Sequence, residues 1–215
     1  FLAGRVTTIA TSFDKAAGAE PYRDRMVETG NPVRAAVREA AATAYLDRAP
    51  SEPFHLLVFG GSQGARFLSD LLPAALALLP EDQRALLRIV QQCRAEDLDR
   101  VRTAYDQMGV SADLAPFFAD MPARIAAANL VVSRSGASTV CELAVIGRPA
   151  IMVPLPHALD QDQKANAGIL AAAGGEQLVP RAVVTGEPRH VLDDAHHRQV
   201  DLLGHRRRHG GQRRP

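Results

Sequence analysis

An α/β domain built on a doubly wound parallel sheet is the fold this sequence predicts, and three observations carry the expectation. Between Phe54 and Val179 short apolar runs alternate with helix-length stretches, and strands separated by such helices pair in parallel. The first run, Leu57-Val58-Phe59, ends in Gly60-Gly61-Ser62-Gln63-Gly64, the layout of a strand, a glycine-rich turn and a helix. Later helical stretches close on Gly109, Gly147 and Gly174-Gly175, because glycine accepts the left-handed conformation at a helix end.

Taken in order, residues 54–59 read as a buried strand and 65–79 as a helix, with Pro73 expected to kink it or to fall near a turn. A strand follows over 86–91, a helix over 96–108, a strand over 113–117 and a short helix over 122–128, whose Pro122 suits a first turn. Next come a strand over 129–133, a helix over 137–146, a strand over 149–153, a helix over 161–173 and a last strand over 177–179. Upstream, 5–10 and 26–29 have strand character, Gly30-Asn31-Pro32 signals a turn, and 33–46 reads as an alanine-rich helix. The expected organisation has a boundary near Gly30. Residues 1–30 are the remnant of a preceding domain, 31–180 form the main domain, and 181–215 are an irregular tail.

The 215 residues are 47% apolar, enough for a packed core, and the net charge of +1 exerts no global pull on nucleic acid or acidic partners. Two widely separated cysteines, Cys93 and Cys141, read as reduced thiols rather than a metal or disulfide framework. No stretch reads as a signal peptide or a membrane span, which leaves peripheral membrane contact open. The chain begins without Met, in mid-pattern. From Arg181 onward the periodicity decays into Arg and His, and five of the seven histidines lie there. A metal or nucleic-acid patch, a disordered basic tail and a shifted reading frame are the three readings. Neither metal-ligand spacing nor interleaved aromatics favour the first.

In a doubly wound sheet ligands bind at the carboxyl ends of the strands, near the switch point. The turns to watch are therefore 60–64, 116–121, 133–137 and 154–160. The first suits an anion, since glycine lets backbone approach closely and a helix start offers unpaired N–H groups, while Ser62 and Gln63 add donors. It lacks both the Walker Gly-Lys-Ser/Thr and the dinucleotide G-x-G-x-x-G spacing, and alone it is equally an ordinary tight βα turn. Ser133-Arg134-Ser135-Gly136-Ala137-Ser138-Thr139 opens a second helix, with Glu142 placed to accept from a ribose diol or simply to favour the helix start. Asp160-Gln161-Asp162-Gln163-Lys164-Ala165-Asn166 crowds amides and carboxylates at a third helix start, suited to sugar hydroxyls or to plain capping. His157 is a candidate base or a loop-orienting contact.

Gly30-Asn31-Pro32-Val33-Arg34, Gly60-Gly61-Ser62-Gln63-Gly64-Ala65-Arg66, Arg134-Ser135-Gly136-Ala137 with Thr139 and Glu142, and Val153-Pro154 through Gln163 with Asn166 together resemble the MurG family. These bacterial transferases move N-acetylglucosamine from UDP-N-acetylglucosamine to lipid I, making lipid II for peptidoglycan. The resemblance covers roughly residues 25–180. It implies a GT-B glycosyltransferase, two Rossmann-like domains facing a cleft, of which this chain is similar to the C-terminal, donor-binding half.

By position the resemblance puts Arg34 and Ser62, with Gln63, near the nucleotide and diphosphate, and Phe117 and Phe118 in the loop whose backbone reads the uracil edge. It puts Ala137, Ser138 and Thr139 beside the diphosphate and sugar, and Glu142 on the ribose hydroxyls. Gln163 and Asp162 match the pair that reads the sugar hydroxyls, and Asp162 departs from the usual Gln. The implied reaction is inverting, with neither metal nor cofactor. The implied partners are UDP-N-acetylglucosamine, lipid I and the cytoplasmic face of the inner membrane, without nucleic acid. The family's candidate base and lipid-facing patch lie in its N-terminal domain, so the base is not assigned in this chain, which is expected to be inactive alone. Residues 181–215 do not resemble the family's C-terminal helices, and Arg outnumbers Lys 23 to 2. A frameshift in GC-rich coding DNA is the expectation for that tail, to be tested by reading the other frames. Two alternatives remain: a GT-B transferase with another lipid acceptor, and a non-catalytic nucleotide-sugar-binding subunit of a split enzyme.

Overall fold

The computed structural model of the chain describes residues 2–12, 20–45, 48–154, 162–172 and 176–178. The strands are β1 (Ile9–Thr11), β2 (Met26–Glu28), β3 (Phe54–Phe59), β4 (Leu87–Gln92), β5 (Ser111–Ala115), β6 (Leu130–Ser133), β7 (Ala150–Met152) and β8 (Glu176–Leu178). The helices are α1 (Ala35–Ala40), α2 (Gly61–Leu76), α3 (Glu81–Leu86), α4 (Leu98–Gln107), α5 (Met121–Ala127), α6 (Ala137–Ile146) and α7 (Asp162–Ala172). β1 and β2 form a small parallel pair of their own. The other six strands, all parallel, lie in the order β5-β4-β3-β6-β7-β8.

That order makes the sheet doubly wound. The chain builds outward from β3 to β4 and β5, then returns to the other side of β3 to lay down β6, β7 and β8. Helices cover both faces, so the central strands are apolar on both sides and period-2 alternation sorts their side chains. Leu56 and Val58 of β3 face one way with Leu130 and Val132 of β6, under Leu68, Leu72 and Leu76 of α2 and Val101 and Tyr105 of α4. Leu57 and Val131 face the other way with Ala150 and Met152, under Val37 of α1, Ile125 of α5, Val140 and Leu143 of α6 and Ala167 of α7. Leu57, Leu68 and Leu143 are fully buried, each contributing about 1.5–3 kcal/mol of transfer free energy.

The α/β, doubly wound expectation is met, and α6 spans the residues expected of it. Gly147 ends it at φ 71°, where a side chain would be strained. Other boundaries differ for identifiable reasons. α2 begins at Gly61, four residues before its expected start, because Gly61 adopts φ 63° and turns the chain directly into the helix. The helix also continues through Pro73 to Leu76. α1 stops at Ala40 instead of running to 46. The Ala42 and Thr43 amides bond three residues back, and the buried Arg148 guanidinium captures the Thr43 carbonyl at 2.8 Å. α3 was not expected, although Pro80 followed by Glu81 and Asp82 is a helix-start signal. β5 begins two residues earlier than expected and β4 one later, and α4 is entered through a 3-10 turn over Ala95–Asp97. Of the expected strand over 5–10, only Ile9 and Ala10 belong to β1, and Ala3–Arg5 is a 3-10 turn.

Candidate functional site

Parallel strands put all their carboxyl ends on one rim, and pairing register brings particular ends together. Phe59 of β3 lies opposite Ser133 of β6, and Ser133 opposite Met152 of β7. Gln92 of β4 lies opposite Ala115 of β5. The turn into α2, the turn into α6, the end of β7 and the loop after β5 are thus neighbours, with the switch point between β3 and β6 at the centre.

Two helices begin at that centre, and both are capped by glycine. Gly60 precedes α2 and Gly136 precedes α6, so neither cap residue has a side chain to bond the first amides, and of these the Gly61 N–H is taken by Gln92 Oε1. The first N–H groups of a helix have no partner within it, so two adjacent starts present amides and positive dipole ends to an anion. Ser62 and Gln63, expected in a loop, are in the first turn of α2; their side chains lie outside the described residues. Ala137, Ser138 and Thr139 form the first turn of α6, Ser138 exposed and its neighbours half-buried.

Glu142 sits in the second turn of α6 and is bound to Arg34, the residue preceding α1. Arg34 Nε and Nη2 both donate to Glu142 Oε1, at 3.2 and 3.0 Å. The carboxylate is only 15% exposed, the guanidinium 63%. Two residues expected at one nucleotide are therefore partners of each other. Gln163, in the first turn of α7, joins the same region through its backbone: Ser135 Oγ donates to its carbonyl at 2.7 Å, and Asn166 Nδ2 donates to the Ser135 carbonyl at 3.2 Å. Asp162 starts α7, its side chain outside the described residues, as are His157, the 155–161 loop and the 181–215 tail.

The loop after β5 treats its two phenylalanines differently. Phe117 is 74% exposed, whereas Phe118 is buried with the Arg124 guanidinium 4.1 Å above its ring. Arg124 is held in turn by Asp113 and Asp120, at 2.7 and 2.8 Å, and the hydrogen bond from Arg124 keeps the Asp120 carboxyl below its ordinary range.

Two rim residues were given no role by sequence reasoning. Arg134, 9% exposed, donates through Nη1 to the Val153 and Pro154 carbonyls, each at 3.0 Å, and stacks 4.8 Å over the Phe67 ring of α2. It thereby ties the α6 turn to the end of β7 and to α2. Burial pulls its pKa down. Gln92 joins the start of α2 to the loop after β5, since its Oε1 accepts from Gly61 N–H at 3.3 Å and its Nε2 donates to the Pro116 carbonyl at 3.1 Å. The available signal was polarity: Gln91-Gln92 ends a run that is otherwise apolar on one face.

Among the described residues no helix is long and apolar enough to cross a membrane. Comparison with known proteins identifies the family. A relative from Mesorhizobium japonicum, named UDP-N-acetylglucosamine–N-acetylmuramyl-(pentapeptide) pyrophosphoryl-undecaprenol N-acetylglucosamine transferase, is 58% identical over 189 residues, covering 86% of this chain and 49% of its own. One of the same name from Brucella abortus is 59% identical over 182 residues, covering 84% and 48%. The crystal structure of Acinetobacter baumannii MurG superposes with a TM-score of 0.65 at 28% identity, over 88% of this chain and 52% of that one. The chain spans about half the length of the curated relatives it matches. The family described as Glycosyltransferase family 28 C-terminal domain matches residues 55–196, and with two thirds of its length inside that match the chain belongs to this family.

Proposed function

We propose that this chain supplies the donor site of an N-acetylglucosaminyltransferase that uses UDP-N-acetylglucosamine and acts on lipid I to form lipid II. The observation that carries the reading is the pair of glycine-capped helix starts, α2 and α6, on adjacent strand ends at the switch point. A diphosphate is the ligand chemistry that two such starts suit. The names of the relatives support the choice of sugar and acceptor.

In this reading Glu142, held by Arg34, accepts from the ribose hydroxyls. The loop of Phe117 and Phe118 receives the uracil, and Ala137, Ser138, Thr139, Asp162 and Gln163 contact the diphosphate and the sugar. The acceptor hydroxyl attacks the anomeric carbon as the bond to UDP breaks. Negative charge then grows on the departing diphosphate, where the amides of α2 and α6 and the Ser62 hydroxyl stabilise it, as donors do in an oxyanion hole. The base that takes the acceptor proton and the surface that meets the inner membrane from the cytoplasm are assigned to a second, acceptor-binding domain. Residues 31–180 form the donor domain, 1–30 belong to that second domain and its linker, and 181–215 are a tail outside it.

Calorimetry with UDP-N-acetylglucosamine, UDP-glucose and thymidine diphosphate tests the reading. The first should bind best. A chain that binds none of the three does not hold a donor site. Preference for UDP-glucose would assign it to another glycosyltransferase. With lipid I added, the chain alone should form no lipid II, and appreciable turnover would place the acceptor site within it.

A further inference from the structure

We propose that Gln92 is a positioning residue that locks the start of α2 to the loop carrying Phe117 and Phe118, making recognition of base and diphosphate interdependent. The proposal rests on the nucleotide-binding reading above. Gln92 ends β4, the strand between β3 and β5. From there one planar amide reaches both neighbours: Oε1 accepts from Gly61 N–H, and Nε2 donates to the Pro116 carbonyl. Chemistry fixes this orientation, because the reverse would set donor against donor and acceptor against acceptor. A Glu at this position has nothing to donate to Pro116, and Met has neither function.

The adjacent glutamine does a different job. Gln91 is fully buried and accepts from the Tyr105 hydroxyl, so strand alternation turns one amide into the core and the other to the rim. On β5 the last ladder bond, Cys93 N–H to the Ala115 carbonyl at 3.0 Å, stops one residue short of Pro116. Gln92 therefore takes over where the ladder ends and carries the order of the sheet into the loop. It also uses the Gly61 N–H, so an anion at α2 meets the amides that follow it. A shift of the α2 start moves the Pro116 loop with it, which is how phosphate and base recognition become linked.

The test is calorimetry of the 215-residue chain and its Gln92→Met and Gln92→Glu variants with uridine, inorganic pyrophosphate and UDP. Circular dichroism and thermal melting check that the variants fold. Gln92→Met should bind uridine and pyrophosphate within about threefold of the unsubstituted chain and UDP about tenfold more weakly, the scale of one or two lost hydrogen bonds; Gln92→Glu, whose added charge repels phosphate, should bind uridine within about threefold and lose more affinity for UDP than for pyrophosphate. Gln92→Glu, nearly isosteric with the native side chain, keeps the measurement available if the Met variant unfolds. An equal loss for all three ligands marks a general structural role and overturns the coupling, as does unchanged UDP affinity. An unsubstituted chain that fails to bind UDP overturns the nucleotide reading and the coupling with it.

Discussion

Arg34 and Glu142, 108 residues apart in sequence, meet in a pair whose two bonds both end on the same carboxylate oxygen. The pair joins the entry to α1 with the second turn of α6 and orients a half-buried carboxylate beside the switch point. Removing that carboxylate by Glu142→Ala should weaken UDP binding by about 1–3 kcal/mol, the range for a hydrogen bond to a charged group. Arg34→Ala should cost less, since its guanidinium is largely solvated. Because the residues are in contact, the double variant should lose less than the sum of the two. Calorimetry reads all three, and an unaltered UDP affinity in Glu142→Ala would remove Glu142 from the site.

Ser62 lies in the first turn of α2, where the proposed donor site places the diphosphate against helix amides. Ser62→Ala should weaken UDP binding while leaving uridine binding within about twofold, because the loss falls on a phosphate contact of about 1 kcal/mol. Equal losses for the two ligands would argue for a general disturbance of the turn.

Arg134 carries a buried charge that pairs with no carboxylate among the described residues, and its Nη1 alone serves two carbonyls at once. Arg134→Lys should destabilise the fold by about 1–3 kcal/mol in urea, since the shorter lysine chain cannot both reach the two carbonyls and keep a planar group stacked on Phe67. Arg134→Met, which removes the desolvated charge altogether, should be at least as stable as the Lys variant. A Lys variant as stable as the unsubstituted chain would show that the reach and planarity of the guanidinium are dispensable.

Asp97 accepts from Arg94 and Arg100 at 2.8 and 2.9 Å, which holds its carboxyl below the ordinary range. A depressed folded-state value contributes stability that is fully present above the unfolded value of about 3.9 and is lost as pH falls through the folded one. The urea midpoint of the unsubstituted chain should therefore fall as pH drops below about 4. Asp97→Asn should start lower at neutral pH and converge with it in acid. Parallel curves would exclude Asp97 from the acid transition.

Much of this molecule was legible before its structure. The apolar runs around Leu57, Val131 and Ile151 announced strands buried on both faces, and their alternation with helices implied parallel order. Gly147 marked the end of α6 because its requirement, a left-handed residue, is local. Some errors were local, such as the unread helix-start signal of α3, and one fell where a distant residue overrules local preference. The alanine-rich stretch after Val33 favours helix, yet Arg148, 105 residues after Thr43, takes the carbonyl there and α1 ends.

The sequence by itself determined the order and kind of the elements of the six-stranded sheet that border its rim, and hence which turns share that rim, because helix and strand periodicity depend on neighbours a few residues away. Only the tertiary structure decided that Arg34 binds Glu142, that Arg134 ties α6 to β7 and α2, and that Gln92 bridges two loops. Hydrogen bonds are satisfied by whatever lies within about 3 Å in space, and separation along the chain does not reveal which groups those will be.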